Sequence, residues 1–174
     1  ARLRLGLGDY RDAERLLGTQ KLVMDGIEEV PDSLRLSSAS DTGRTLLLLD
    51  RPQECIDRMR PLESDARDLQ RTLATQAADF YSVLGRCHRT LRHARTAKLL
   101  FQRALEVRRN ALDDPSAVVE SLTDLGDLEK DAGNIPAALA GYNDALTRLQ
   151  ASSGPRHPLA IGLQQRLCEL ERSN

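Results

Sequence analysis

"LGRCHRTLRHARTAKLLF", residues 84–101, sets cysteine, histidine and arginine side by side. Read alone, it suggests a metal site, a thiol catalyst or a grip for a polyanion. Related stretches elsewhere in the chain change that reading. Gly85 is followed by Arg92-His93-Ala94, then Ala97 and Phe101. At the same spacings Gly43 is followed by Asp50-Arg51-Pro52, Cys55 and Met59, and Gly126 by Gly133-Asn134-Ile135, Ala138 and Tyr142. Ala1 opens a fourth copy with Gly8-Asp9-Tyr10, Ala13 and Leu17. Successive copies are 42, 42 and 41 residues apart. A fixed period in that range marks a stacked repeat.

Each copy has the pattern of helix, tight turn, helix. Tyr81, Leu84, Gly85 and His88 share one helical face, and Leu122, Leu125, Gly126 and Glu129 share the corresponding one. Beyond the turn, Ala97, Leu100, Phe101, Ala104 and Leu105 form an apolar stripe, which Ala138, Gly141, Tyr142, Ala145 and Leu146 copy. A glycine inside a helix costs about 1 kcal/mol against alanine. The recurrence at Gly43, Gly85 and Gly126 therefore predicts a close helix crossing, against Cys55, Ala97 and Ala138. Helices are expected near 10–29, 32–49, 52–68, 73–90, 94–112, 116–131, 134–151 and 158–172. Pro31, Pro115 and Pro158 suit helix starts. Pro61 falls inside a helix and should kink or shorten it.

These positions resemble the tetratricopeptide repeat (TPR), which has small residues at its eighth, twentieth and twenty-seventh places and a large apolar one at its twenty-fourth. Gly85, Ala97, Ala104 and Phe101 fill them, as do Gly126, Ala138, Ala145 and Tyr142. The long period, "RALEVRRNAL" leading to a proline-started helix, and "GPRHP" at 154–158 resemble the repeats of kinesin light chains. The resemblance implies an all-α fold, a right-handed α-α superhelix of antiparallel helix pairs. It divides the chain into a partial repeat 1–29, repeats about 31–70, 73–112 and 115–151, and a capping or next-repeat helix 158–172. It also implies that first helices line a concave surface for a protein or peptide partner. That surface would present Arg44 from the second unit, Arg86 and Arg89 from the third, and Asp127 and Lys130 from the fourth. Arg44, Arg86 and Arg89 would make a basic stripe for an acidic partner, because guanidinium suits bidentate pairing with carboxylates. Where kinesin-light-chain repeats carry asparagine at the sixth place, this chain has Asp41, Val83 and Asp124.

Composition narrows the alternatives. Charged residues are 29% of the chain and nearly cancel, to a formal net charge of -1, which does not favour a general nucleic-acid binder. Aromatics are only 3%, too few for base-stacking platforms. Residues 84–110 carry eight basic side chains against Glu106, while 111–131 carry seven acidic ones against Lys130. Salt bridges between neighbouring units are the plain account of that alternation; a groove of opposite signs is the functional one. Cys55, Cys87 and Cys168 are odd in number and far apart, unlike a secreted disulfide framework, so they read as small hydrophobes in a reduced, cytoplasmic setting. Cys87, His88 and His93 point to differing faces and do not supply the four converging ligands that zinc needs. There is no phosphate loop, nucleophile elbow or paired-acid constellation, so neither enzyme nor cofactor is expected. No apolar run reaches the roughly 20 residues of a membrane span. A regulatory region of a larger signalling protein and a self-association module remain as other readings.

Overall fold

In the computed structural model the chain forms helices that run up and down in pairs. It describes residues 29–111 and 115–172, with scattered positions between 12 and 26. The opening copy of the repeat (Ala1, Gly8-Asp9-Tyr10, Ala13, Leu17) lies outside the described residues. The elements are α1 (Asp32–Leu48), α2 (Pro52–Met59), α3 (Glu63–Asp68), α4 (Ala74–Thr90), α5 (Ala94–Ala111), α6 (Val119–Asp131), α7 (Ile135–Ser153) and α8 (Pro158–Arg172). A 3₁₀ turn, Arg60–Leu62, separates α2 from α3 at Pro61, and another, Pro115–Val118, leads into α6. Among the described residues no strand occurs, and no helix is long and apolar enough to cross a membrane.

The turn within each pair repeats in detail. Asp50, Arg92 and Gly133 hold the same place in successive copies, and all three have positive φ, at 56°, 60° and 76°. After each, the chain closes with the same bond: Arg51 N–H to Leu46 O, His93 N–H to His88 O and Asn134 N–H to Glu129 O, all at 2.9 Å. This is the left-handed cap that ends many helices, and a glycine adopts it without strain.

The recurring glycines do make room for a close approach: Cys55 Sγ and Ala138 O lie 3.3 and 3.4 Å from a Cβ added at Gly43 and Gly126, as the spacing predicts, but a larger side chain comes nearer still at each notch. A Cβ on Gly85 would lie 2.5 Å from the Phe101 ring, and one on Gly126 would lie 2.7 Å from that of Tyr142. At Gly43 the contacts are Met59 Sδ and Val83 Cγ1, both at 2.6 Å. The large residue one turn beyond the alanine or cysteine therefore enters the notch. In the α6–α7 pair the backbones themselves come close: a Cβ on Gly141 would lie 3.4 Å from Gly126 Cα. Ala97, Ala104, Ala138 and Ala145 are fully buried beneath these contacts.

The cysteines correct a second expectation. Cys55 on α2 and Cys87 on α4, 32 residues apart, form a disulfide with their Cα atoms 6.3 Å apart. Folding brings the second helix of one unit against the first helix of the next, and that meeting is invisible in residue spacing. Cys168 is free and exposed.

Candidate partner-binding groove

On the first helices the arginines meet carboxylates of the neighbouring unit. Arg44 on α1 reaches Asp79 on α4 at 3.2 Å, and also Asp41 on its own helix. One period later Arg86 on α4 reaches Glu120 on α6 at 2.8 Å, and grips Asp124 with Nε at 2.7 Å and Nη2 at 3.1 Å. Arg89, one turn on, donates Nε to Asp131 at 2.6 Å and Nη1 to Asp127 at 3.0 Å. In the next interface the signs reverse. Asp127 occupies the place of Arg86, and Arg166 on α8 supplies the guanidinium. Tyr142 Oη also donates to Asp127, at 2.6 Å. The arginines named from the sequence therefore sit together on the first helices, and each is engaged with a carboxylate. Lys130 is exposed and has no ion pair among the described residues; it borders a polar cleft of about 540 Å³ with Arg89, Asp131, Gln165 and Glu169.

Two arginines of this ladder were not among the sequence candidates. Arg108 on α5 is only 4% exposed. Its Nη1 donates to Ser82 (2.8 Å) and Ser121 (2.5 Å), and its Nη2 to Asp79 (2.8 Å) and Glu120 (2.6 Å). Arg108 thus joins the Arg44 rung to the Arg86 rung. The signal was present: Arg108 continues the stripe Ala97, Phe101, Ala104 by one more helical turn, so it must bury its head or break the stripe. Arg166 had no such signal.

Burial and pairing compete at these carboxyls. Burial pushes Asp124 up to about 6, outweighing the attraction of Arg86. Glu120 goes the other way, held below the usual carboxylate range by Arg108 and Arg86 against its own burial. Asp127 is likewise held down, by Arg166, Tyr142 and Arg89.

Beside the ladder lies a groove of about 930 Å³. Thr75, Asp79 and Arg86 line it from α4, Glu120 and Thr123 from α6, and Leu159, Leu163 and Arg166 from α8, with Leu149 of α7 at its base. Leu159 is 61% exposed. The groove thus has an apolar wall at α8 and fixed charges opposite. Among the described residues no three His, Cys, Asp or Glu side chains converge as a metal site. His88 and His93 instead face each other, Nδ1 to Nδ1, at 3.2 Å.

No protein-family model and no curated protein matches the chain. Solved structures do match, 14 chains in all. One is the crystal structure of BtubC (BKLC) from P. vanneervenii, a kinesin light chain-like protein. It is similar at a TM-score of 0.72 and 16% identity, over 94% of this chain and 65% of that one. The fold is a TPR-like α-solenoid. The chain spans 65% of the neighbour's length, and at this identity the likeness speaks to the fold alone. TPR-like arrays are commonly used for protein–protein interaction, because stacked repeats present an extended surface that no single unit has.

Proposed function

We propose that the chain is a protein-binding scaffold without catalytic chemistry of its own. It takes a partner's extended segment or helix along the groove between α4, α6 and α8. The observation that carries this reading is the groove itself, an open trough of about 930 Å³ with an apolar wall facing fixed charges. Arg86 Nη1 and Arg89 Nη2 make no hydrogen bond among the described residues, so each guanidinium keeps an edge for a partner's carboxylate or carbonyl. Arg44, Asp127 and Lys130 extend the same polar strip, and an apolar partner side chain seats against Leu159 and Leu163. A cytoplasmic setting suits this role.

Reversing Arg86 or Arg89 would mix binding with stability, since both hold α4 to α6. Thr123→Arg is the cleaner test, because it places bulk in the groove and touches no rung of the ladder. Peptides selected from a displayed library against the wild-type chain should lose at least about tenfold in affinity for this variant, a loss of roughly 1.4 kcal/mol. Unchanged affinity, or cross-links mapping away from Thr75, Thr123 and Leu159, would remove the groove from the account.

Self-association is a second reading, favoured by Leu159 and Ile161 on α8, which are 61% and 48% exposed. Light scattering decides it: a dimer that Ile161→Glu dissolves supports it, and a monomer at high concentration ends it.

A further inference from the structure

The pair Cys55–Cys87 stands apart from the groove and has no counterpart in the next unit. One period on, the same two places hold Ala97 and Leu128, which pack together with Phe101 as a small apolar cluster. The junction of α2 with α4 therefore carries a covalent tie where the junction of α5 with α6 has apolar packing and the Lys98–Glu129 ion pair at 2.7 Å. The places equivalent to Lys98 and Glu129 are Ile56 and His88, which form no such pair.

The tie sits where the array most needs one. The outer helix of this unit is short, eight residues in α2, and is broken by the 3₁₀ turn at Pro61. Cys55 Sγ lies under Gly43, 3.3 Å from where a Cβ would stand, and 3.7 Å from Met59 Sδ. Both cysteines are fully buried, so a thiol or disulfide in solution reaches them only when α2 lifts from α4.

We propose that Cys55 and Cys87 are a reversible thiol–disulfide couple that fastens the α1–α3 unit to α4. In the forward direction two thiols give up two protons and two electrons to a low-molecular-weight disulfide, which leaves as two thiols. The exchange passes through a mixed disulfide on one cysteine, which the other then resolves. Reduction leaves the helices in place but removes the tie, so α2 and α3 open more often. The Arg44–Asp79 rung, which joins α1 to α4, loosens with them.

The experiment uses the whole 174-residue chain, equilibrated in buffers of reduced and oxidised glutathione at fixed pH. Thiols are trapped by acid and alkylation, then counted by mass. Backbone amide exchange is measured in the same two buffers. In the oxidised buffer neither Cys55 nor Cys87 should be labelled, while the exposed Cys168 is free or carries glutathione; in the reduced buffer all three cysteines should be labelled. Reduction should speed amide exchange in α2 and α3 by about tenfold or more, since cross-links of this loop length act mainly on the open state. Exchange in α6 and α7 should not change. Cys55→Ala/Cys87→Leu, which copies the next unit, should exchange alike in both buffers. The proposal is overturned if Cys55 and Cys87 stay labelled in excess oxidised glutathione, or if their disulfide resists the reduced buffer. Identical α2 and α3 exchange in the two buffers would overturn it as well.

Discussion

Gly85 and Gly162 both lie inside helices, but their surroundings are opposite. A methyl at Gly85 would collide with the buried Phe101 ring, whereas nothing lies within 4 Å of one at Gly162. Alanine gains about 1 kcal/mol of helix propensity at either site. Gly162→Ala should therefore raise stability by about 0.5–1 kcal/mol. Gly85→Ala should lower it by about 1–3 kcal/mol, because overpacking outweighs propensity. Urea unfolding of the two variants checks the difference in sign. Arg92 gives a third case. It holds a left-handed conformation at φ 60° that costs a side-chain-bearing residue about 1 kcal/mol, so Arg92→Gly should be stabilising by a similar amount. The small-residue notches were legible at this scale because glycine in a helix is expensive. Cys55 and Ala138 lie at two of them as expected, but the larger side chains that come nearest were not legible, because spacing identifies the hole and not the residue that fills it.

At the scale of the helix pair, the ladder decides what the arginines do. Arg108→Ala would leave Asp79, Glu120, Ser82 and Ser121 facing one another without their shared donor. A loss of about 3–5 kcal/mol is expected, as for other buried charge networks missing one partner. Thermal or urea unfolding measures it, and a change below about 1 kcal/mol, as for an exposed pair, would deny Arg108 its place at the centre. The carboxyls give a pH test. Asp124, raised to about 6, takes up its proton in the folded state before it would in the unfolded chain. Its own contribution to stability therefore grows as pH falls from 7 toward 4. Glu120 and Asp127 are lowered, so theirs is present above the ordinary carboxylate range and is lost as acid protonates them. A carboxyl NMR titration of Asp124 should show a midpoint near 6. A midpoint in the ordinary carboxylate range would mean that pairing with Arg86 beats burial. The alternation of basic and acidic blocks in the sequence foretold pairing across units. It did not reveal that Arg44, Arg86 and Arg89 would each be engaged, since that depends on how the first helices face one another.

For the whole molecule, the period of 41–42 residues was enough to read helix pairs stacked in order. That follows because a repeat unit cannot bury its apolar face alone. The α8 wall of the groove and the disulfide were not legible, since both arise where residues from different units meet. The most direct test of the packing within and between pairs is one NMR experiment, a nuclear Overhauser spectrum of the three recurring glycines. Contacts are expected from Gly85 Hα to the Phe101 ring, from Gly126 Hα to the Tyr142 ring, and from Gly43 Hα to the Met59 and Val83 side chains. Gly85 and Gly126 should also be shifted by the neighbouring rings. Glycine protons that see only their own helix would contradict the helix packing on which the groove, the ladder and the redox tie all rest, and a missing Gly43–Val83 contact would contradict the stacking of units in particular.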